Sequence, residues 1–188
     1  MKQDTNDRRV RKTKRAIREA FAELLIQKDI QKISIRELTA KADIHRATFY
    51  THYKDIYDLY EQIEQSVIDE LEHIIYTDSH HTYDDVIIDL IDFIYDNQKI
   101  MRMFFNKHTK YSFYNHFCHY LETKYLTLLQ NDLKRQSLPS EYSYYIRYHI
   151  HGFLAVLTYW AEESFVSPKE KIVKIALELD IHFDKLLS

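Results

Sequence analysis

Residues 33–54 read ISIRELTAKADIHRATFYTHYK, a stretch long enough for only two short helices. Ser34 and Glu37 have the spacing of a capping box, in which the serine oxygen accepts from the Glu37 N–H and the Glu37 carboxylate accepts from the Ser34 N–H. Leu38 and Ala42 then share the inner face of the first helix. A turn at Asp43 precedes the second helix. The segment therefore predicts a helix-turn-helix unit.

The second helix of this unit has one apolar and one polar side. Ile44 and Phe49 fall on the inner side. The outward positions carry hydrogen-bond donors and phosphate-binding groups, namely Arg46, Thr48, Tyr50, Thr51 and His52. This layout is typical of a recognition helix in a DNA major groove. The alternative is that both helices belong to an all-α core and that their polar faces are solvated, since such units also occur without nucleic acid.

The run Ala47–Lys54, with the lead-in Ile33–Leu38 and a basic helix before it, closely resembles the N-terminal domain of TetR-type transcriptional regulators. The resemblance is strong over about residues 8–60. It implies a three-helix DNA-binding domain at 1–54, a connecting helix at 55–76 and a helical ligand-sensing and dimerisation domain at 77–188. About nine helices are expected in total.

The resemblance also implies a set of DNA contacts. It places Arg36, Arg46, Ala47 and Thr48 near base edges, and Ser34, Tyr50, Thr51, His52 and Lys54 mainly at phosphates. Arg36 and Arg46 are candidates for two-bond guanine contacts, each of which contributes about 1–3 kcal/mol of discrimination. Phosphate binding is the alternative for either arginine.

The chain departs from the family pattern at three positions of this unit. Asp43 stands where Gly is usual, and we expect it to adopt the left-handed backbone, which Asp tolerates better than most residues. Thr39 replaces a common Ala. His45 replaces the usual Ser or Thr cap, and we expect it either to cap the second helix or to contact DNA.

The composition favours an all-α protein. The 188 residues include one Gly and two Pro, and no regular alternation of apolar and polar residues indicates strands. No apolar run near 18 residues and no charged-then-apolar leader occur, so we expect no membrane span, no secretory signal and a cytoplasmic location. Cys118 is the single cysteine, which fits a reducing compartment.

The charge is distributed unevenly along the chain. Residues 1–54 contain 14 Lys or Arg against 7 Asp or Glu, a net charge of +7, whereas the remaining residues carry 12 against 22, a net of −10. A basic end joined to an acidic body suits a protein that neutralises DNA phosphates at one end. The alternative is a basic helix that is merely solvated.

Apolar spacing outlines the remaining helices. They are predicted at about 7–28, 55–76, 83–96, 99–106, 111–135, 141–163 and 168–187. Asp55 is a cap for the helix at 55–76, and Pro168 suits a first helical position. The polar stretch 77–82 is the clearest linker.

The last two predicted helices are apolar over broad faces. One apolar stripe suffices for a helix that packs against a single core, so a second buried surface is expected. In TetR-type proteins the last two helices usually form a four-helix dimer interface, which here implicates Phe153, Leu157, Trp160, Ile172, Ile175, Leu179 and Phe183. The alternative is that both faces are buried within one chain.

A ligand pocket is expected among the fourth to seventh helices. Its predicted lining consists of Tyr95, Met101, Phe104, Phe105, Phe113 and Phe117, although aromatic and Met stripes more commonly form core. Residues 152–160 and 167–170 weakly resemble the TetR branch that includes regulators linked to dihydroxyacetone kinase. We name no small-molecule effector.

Catalysis and metal binding have little support in the sequence. Gly-rich phosphate loops, nucleophile elbows and His-Glu-x-x-His motifs are lacking, so no enzyme and no cofactor is predicted. His116 and His119 share a helical face beside Cys118, but we predict no metal site. The sequence thus predicts a homodimeric, DNA-binding regulator, a repressor of a palindromic operator. The alternatives are a ligand-dependent activator and a helical adaptor that binds protein instead of DNA.

Overall fold

The computed structural model describes residues 2–76, 83–106 and 110–187. Within these ranges the chain is helical, with no strand. The α-helices are α1 Lys2–Gln27, α2 Ile35–Lys41, α3 Arg46–Tyr50, α4 Ile56–Tyr76, α5 Tyr83–Asp96, α6 Gln98–Phe104, α7 Lys110–Asp132, α8 Glu141–Glu162 and α9 Lys169–Leu187, and a 3-10 turn spans Ile30–Lys32. The predicted all-α fold with about nine helices is confirmed for the described part of the chain.

The helix boundaries follow the apolar spacing closely, with small differences. Helix α5 has the predicted limits, whereas α1 begins at Lys2, before the predicted start at Asp7. Pro168 precedes α9 instead of being its first residue, and its carbonyl accepts from the Lys171 N–H at 3.0 Å. The linker predicted at 77–82 lies outside the described residues.

The chain divides into two compact units, which interrupt each other in sequence. Unit 1 comprises residues 1–73 and 99–109, and unit 2 comprises residues 74–98 and 110–188. Most of α6 therefore belongs to the same unit as the helix-turn-helix segment. The domains predicted from the sequence, with boundaries after residues 54 and 76, were defined by function and not by packing. This division stays a proposal.

Unit 1 has its core between α1, α2, α3, α4 and α6. Its apolar residues with at most 1% exposure include Ile17, Phe21, Leu25, Leu38, Phe49, Leu59, Ile63 and Phe104. Helix α6 is tied to this unit by the edge-to-face contact of Phe104 with Tyr60, at 5.8 Å between ring centres. Lys99 Nζ also lies 3.0 Å from a Glu19 carboxylate oxygen of α1. These contacts hold a short helix that is distant in sequence against α1 and α4.

Unit 2 is built on two helix pairs, α5 with α9 and α7 with α8. Trp160 of α8 is 1% exposed, and its indole N–H donates to the Ser167 carbonyl at 2.8 Å. The same ring contacts Phe165 edge-to-face at 4.9 Å and stacks on Tyr95 at 5.7 Å. His149 Nε2 lies 3.1 Å from the carboxylate of Asp180, a buried residue of α9. Trp160 and His149 thus connect α8 to α5, to the loop after α8 and to α9.

Glycine is absent from the helix ends that would favour it. Asp43, Lys134 and Ser164 follow α2, α7 and α8 with φ of 53°, 51° and 59°, a backbone region that glycine enters without strain. The single glycine, Gly152, lies instead in the middle of α8, where a Cβ would meet no atom within 4 Å. Glycine in a helix interior costs about 1 kcal/mol relative to alanine. Packing within the described chain does not require Gly152.

Candidate nucleic-acid interface

Helix α2 begins with half of the predicted capping box. Ser34 Oγ accepts from the Glu37 N–H at 3.2 Å. In the described part of the chain the Glu37 carboxylate accepts from Lys28 Nζ, at 2.7 and 2.6 Å, in place of the Ser34 N–H. The predicted reciprocal bond was therefore wrong, because a cation at the end of α1 lies closer to this carboxylate. The ion pair fixes the start of α2 against α1.

The turn between α2 and α3 is a Schellman motif. The Ile44 N–H donates to the Thr39 carbonyl at 3.0 Å, and the Asp43 N–H donates to the Ala40 carbonyl at 3.4 Å. Asp43 has a φ of 53°, which confirms the predicted left-handed backbone at this position. Thr39 is buried, and its hydroxyl donates back to the Ile35 carbonyl at 2.8 Å. Asp43 and Thr39 therefore fit the helix-turn-helix geometry.

Helix α3 buries one side and exposes the other. Phe49 and Tyr53 are 0% and 2% exposed, as predicted for core residues. His45 occupies the position before α3, and its side chain makes no capping hydrogen bond to the described residues. Of the predicted DNA contacts, Ser34, Arg36, His45, Arg46, Ala47, Tyr50, Thr51 and Lys54 are exposed, and Thr48 and His52 are half-buried. No side chain of this predicted set is buried in the core.

Arg46 and Tyr50 lie one helical turn apart on the exposed face of α3. The Arg46 Nη2 donates to the Tyr50 hydroxyl at 3.0 Å. The guanidinium carbon also lies 5.5 Å from the centre of the Tyr50 ring, within cation–π range. Phe49 holds the Tyr50 ring from the inner side through an edge-to-face contact at 5.6 Å. The guanidinium is thus held on the surface by an aromatic ring that is itself supported by the core.

The positive charge of α1 extends to the end of the helix-turn-helix segment. Burial, and then the positive charge of Lys14, hold the pKa of His52 below its ordinary value. His52 is therefore neutral at pH 7, and Lys14 lies close enough to influence it. Lys14, one of the basic residues of α1, therefore lies near the end of the helix-turn-helix segment.

The start of α4 is fixed by two carboxylates. Asp55 Oδ1 accepts from the Tyr57 and Asp58 N–H groups at 2.8 and 2.9 Å, which confirms the predicted cap. Asp58 accepts from the Lys54 N–H at 2.7 Å, and this bond is the leading cause that lowers the pKa of Asp58. The backbone between Tyr53 and α4 is therefore held at both ends.

Arg18 was not identified from the sequence as part of this region. It lies on α1, and its Nη1 donates to Ser66 Oγ of α4 at 3.5 Å. The helical spacing could have shown that Arg18 lies on the inner face of α1. It precedes the buried residues Phe21, Ala22 and Leu25 by three, four and seven positions. A charged residue on an otherwise buried helix face has a polar partner inside the protein.

The residues predicted to line a ligand pocket fall in both units. Met101, Phe104 and Phe105 are buried in unit 1. In unit 2, Phe113 and Phe117 are buried and stack at 5.5 Å, whereas Tyr95 is 37% exposed and lies on Trp160. A pocket lined by all six residues stays a prediction.

The residues predicted for a dimer interface differ in exposure. Leu157 and Trp160 of α8 and Ile172 of α9 are buried within the chain and contribute to its core, so their part in an interface stays a prediction. Phe153 and Ile175 are half-buried and Leu179 is 53% exposed. The Phe183 side chain lies outside the described residues. An interface on α8 and α9 stays a prediction. Other residues of α8 are exposed and could contribute to it.

The exposed face of α8 consists of aromatic and small residues. Tyr148, Gly152, Ala155 and Tyr159 follow each other at spacings of four, three and four, and all are exposed. Tyr148 and Tyr159 expose 78% and 62% of their surface. This row, the α8 outer face, was not identified from the sequence, because its tyrosines and small residues do not stand out as an apolar stripe.

Cys118 contributes to a polar cluster between α7 and α8. Its Sγ lies 3.8 Å from His151 Nδ1, and His151 Nε2 lies 3.2 Å from the Glu122 carboxylate. Burial raises the pKa of the Cys118 thiol to about 11, so the sulfur is protonated at neutral pH. His116 and His119 are exposed. Among the described residues no group of three or more His, Cys, Asp or Glu side chains is placed to hold a metal ion.

Two family descriptions match the chain. Residues 17–63 match the bacterial regulatory proteins of the tetR family, and residues 81–179 match a transcriptional regulator C-terminal region of the TetR type. The first range contains the whole helix-turn-helix segment. The second range covers more than half of the chain. No helix within the described ranges is long and apolar enough to cross a membrane.

A curated relative is also described as a transcriptional regulator of the helix-turn-helix type. An uncharacterized HTH-type transcriptional regulator, YxbF of Bacillus subtilis strain 168, is 39% identical over 70 residues, which are 36% of this chain and 18% of that protein. The match thus spans under a fifth of the relative.

Solved structures share the fold across both units. A TetR regulator from Streptococcus agalactiae 2603V aligns with a TM-score of 0.60 at 22% identity, over 94% of this chain and 98% of that one. The dihydroxyacetone kinase operon activator DhaS aligns with a TM-score of 0.57 at 18% identity, over 93% and 97%. The helix-turn-helix geometry, the two family matches and this shared fold lead to one conclusion: the chain belongs to the TetR family of DNA-binding transcriptional regulators.

Proposed function

We propose that this regulator is a homodimeric repressor that binds a palindromic operator and is released or retained by a small-molecule effector. The observation that carries the DNA-binding surface is the exposed face of α3, where Tyr50 holds the Arg46 guanidinium in place. An arginine held in one orientation suits the two-bond contact to guanine. The protein acts in the cytoplasm, where the DNA is, and has no catalytic role.

The DNA contacts divide by what each group offers. Arg36, Arg46, Ala47 and Thr48 read base edges, and Ser34, His45, Tyr50, Thr51, His52 and Lys54 bind phosphates. Every one of these side chains is exposed or half-buried, which supports their access to DNA. The net charge of +7 over residues 1–54 supplies the affinity that does not depend on sequence.

The dimer forms through α8 and α9. The α8 outer face supports this proposal, because Gly152 costs helix stability and fills no need within the chain. Small residues let two helix backbones approach closely, and the tyrosines on either side then bury large surfaces. A two-fold dimer presents two recognition helices to half-sites about one helical turn apart, which accounts for a palindromic operator.

The effector binds in unit 2 or beside it. The buried aromatic pair Phe113 and Phe117 and the stacked Tyr95 supply the apolar surfaces that small-molecule sites use. Effector binding acts by changing the population of the DNA-binding conformation. Activation is the alternative sign of regulation, as the name of DhaS describes for that protein.

The test selects bound sites from random duplex DNA and then compares variants. We expect the wild type to enrich an inverted repeat, and Arg46→Ala and Tyr50→Ala to weaken binding to it. Arg135→Ala, which removes an exposed arginine of unit 2, is the matched control and should bind as the wild type does. A wild type that retains no more duplex than the α3 variants contradicts DNA recognition and favours a protein-binding adaptor. A reporter behind the selected site then distinguishes repression from activation.

A further inference from the structure

Helix α2 is attached to α1 by an ion pair at each of its ends. At its start, Lys28 Nζ lies 2.7 and 2.6 Å from the two carboxylate oxygens of Glu37. At its last residue, Lys41 Nζ lies 2.8 Å from a carboxylate oxygen of Glu23. Glu23 belongs to α1, and Lys28 directly follows that helix. The exposed fractions of the four side chains range from 29% to 46%, so solvent screens both pairs and their contribution to stability is small.

The two ion pairs, which we call the α2 clamp, have opposite polarity. The base follows α1 in the pair at the start of α2, and it belongs to α2 in the pair at the end. Turning α2 end for end would therefore place Glu37 beside Glu23 and Lys41 beside Lys28. Like charges in contact penalise that arrangement, so the clamp favours one orientation of α2 on α1.

The orientation of α2 is passed on to α3 through the turn between them. In this turn the Ile44 N–H donates to the Thr39 carbonyl at 3.0 Å, and Asp43 has the left-handed backbone that the turn requires. Phe49 of α3 is fully buried in the core of unit 1. The two short helices therefore keep one arrangement, and the orientation of α2 on α1 determines where α3 presents Arg46.

We propose that Glu23 and Glu37 are positioning residues, which hold both ends of α2 on α1 and thereby set the direction in which α3 presents Arg46 to the bases. The inference rests on the proposed DNA-binding face of α3. The basic residues of α1 offer charge to phosphates and α3 offers base contacts, so specific binding needs the two helices in a fixed register. When either carboxylate is lost, α2 keeps its fold, but the two sets of contacts no longer fit one duplex together.

The sign of the effect separates positioning from the other roles of a carboxylate in this region. Glu23 and Glu37 lie in the basic segment 1–54, so on charge alone their neutralisation strengthens the binding of any duplex. A contribution to stability alone, such as the favourable place of Glu37 in the first turn of α2, lowers the folded fraction and weakens all duplexes in proportion. A positioning role weakens the selected site and leaves random DNA bound as tightly as before, or more tightly.

The experiment uses the full chain, the site selected from random duplexes and a random duplex of equal length. Affinities for both are measured over a series of salt concentrations. The variants are Glu23→Gln, Glu37→Gln, Lys28→Gln and Lys28→Arg, with the double variants that combine Glu37→Gln with Glu23→Gln or with Lys28→Gln. Thermal unfolding of each variant is recorded alongside.

Glu19→Gln is the matched control. Glu19 lies on α1 one turn before Glu23, and its carboxylate oxygens lie 2.8 Å from Arg15 Nε of the same helix and 3.0 Å from Lys99 Nζ of α6. Within the described ranges, the same substitution there removes a paired carboxylate but no ion pair to α2. Lys99 Nζ also lies 3.9 Å from Glu23, so this control accounts for the contact with α6 as well.

We expect Glu23→Gln and Glu37→Gln each to weaken the selected complex about three-fold, with a melting temperature within about 3 °C of the wild type. The variant that combines them should weaken this complex about ten-fold, since the two pairs share no partner. Glu37→Gln should have little further effect in a chain that carries Lys28→Gln, because contacting residues are not additive. Lys28→Arg, which can also donate to both carboxylate oxygens, should keep the preference of the wild type. Glu19→Gln should leave that preference unchanged.

The results that overturn the proposal are distinguishable from a failure of the proposed function. If Glu23→Gln and Glu37→Gln change the affinity for both duplexes equally, the carboxylates act through charge or stability, and DNA recognition by α3 is unaffected. A loss of preference in Glu19→Gln as large as that in Glu23→Gln also contradicts the proposal, because the effect would then not pass through α2. If the wild type itself prefers no site, the proposed function fails, and the positioning role fails with it.

Discussion

Arg46 Nη2 and the Tyr50 hydroxyl are 3.0 Å apart on the exposed face of α3. This hydrogen bond restricts the orientation of the guanidinium, and a restricted side chain loses less entropy when it binds a base. The tyrosine that supports it is held in turn by the buried ring of Phe49. The core residue Phe49 thus supports Tyr50, and Tyr50 supports Arg46, whose discrimination between bases can be measured.

Tyr50→Phe should separate the two contributions of Tyr50. Phenylalanine keeps the ring under the guanidinium, 5.5 Å away, and removes the hydroxyl. We expect Arg46→Ala to lose about 1–3 kcal/mol of discrimination at one guanine position and Tyr50→Phe to lose a smaller part at the same position. Competition binding with single-base variants of the selected site measures both. Equal losses at every position for Arg46→Ala would indicate that Arg46 contacts a phosphate instead of a base.

Asp43→Gly should stabilise the protein. Asp43 has a φ of 53°, where a residue with a Cβ is strained by up to about 1–2 kcal/mol, with less strain for Asp than for most. We therefore expect a small rise in melting temperature for Asp43→Gly and a fall for Asp43→Val. Lys134→Gly, at an equivalent φ of 51° after α7, is a matched comparison. A melting temperature lowered by Asp43→Gly would contradict the strain argument.

Gly152→Leu should disrupt the proposed dimer without unfolding the chain. Gly152 is exposed, and a Cβ atom built at this position has no neighbour within 4 Å, so the fold of the chain should accept a side chain there. We expect the variant to sediment as a monomer at concentrations where the wild type is a dimer. Gly152→Ala should raise helix stability by about 1 kcal/mol and weaken association less.

Asn131→Leu provides the control for this prediction, because it places the same side chain on an exposed position of α7. It should leave the sedimentation of the dimer unchanged. A Gly152→Leu protein that still sediments as a dimer would exclude close approach of a second chain at this point of α8.

DNA binding should strengthen as the pH falls through the titration of His52. Burial and Lys14 hold the pKa of His52 below its ordinary value of about 6.5, so the free protein carries a neutral imidazole at pH 7. A nearby phosphate favours the protonated form, and binding must then take up a proton. We expect affinity to rise from pH 7.5 to pH 5.5, and His52→Gln to remove that part of the rise.

The stability of the free protein should change in the opposite direction. A lowered pKa in the folded state means that the unfolded chain binds the proton more readily, so His52 lowers stability as the pH falls through the ordinary histidine range. Thermal unfolding of the wild type and His52→Gln between pH 5 and 8 measures this difference. A wild type that gains stability relative to His52→Gln below pH 6.5 would contradict the direction of the pKa shift.

Cys118 should be unreactive until the protein unfolds. The thiol is buried, and burial raises its pKa to about 11, so little thiolate exists at pH 7.5. We expect slow labelling by iodoacetamide in buffer and rapid labelling in urea. An effector-like compound that accelerates labelling in buffer would indicate an opening of unit 2 near α7. Rapid labelling of the native protein in buffer alone would contradict the burial.

Local features were predictable because they depend on neighbours in sequence. The limits of α5, the left-handed Asp43 and the cap at Asp55 all follow from spacing within one or two turns. Partners that are distant in sequence were not predictable. An apolar stripe shows that a face is buried but not what covers it, so Leu157 and Trp160, predicted for a dimer interface, belong to the core of one chain.

The exposed side of the candidate DNA site was predictable for the same reason, since α3 has only one face available to solvent. The hydrogen bond of Arg18 was not predictable, because its partner Ser66 is 48 residues away in the sequence. The role proposed for Gly152 was not predictable either, since only a structure shows that the space beside a glycine is empty.

The placement of residues 99–109 in unit 1 has a consequence for protein engineering. In this protein a cut after residue 76 would separate Phe104 from the Tyr60 ring and Lys99 from Glu19. A chimera that keeps unit 1 intact must therefore transplant two stretches of the gene, those for residues 1–73 and 99–109, of which the second lies between the two stretches of unit 2.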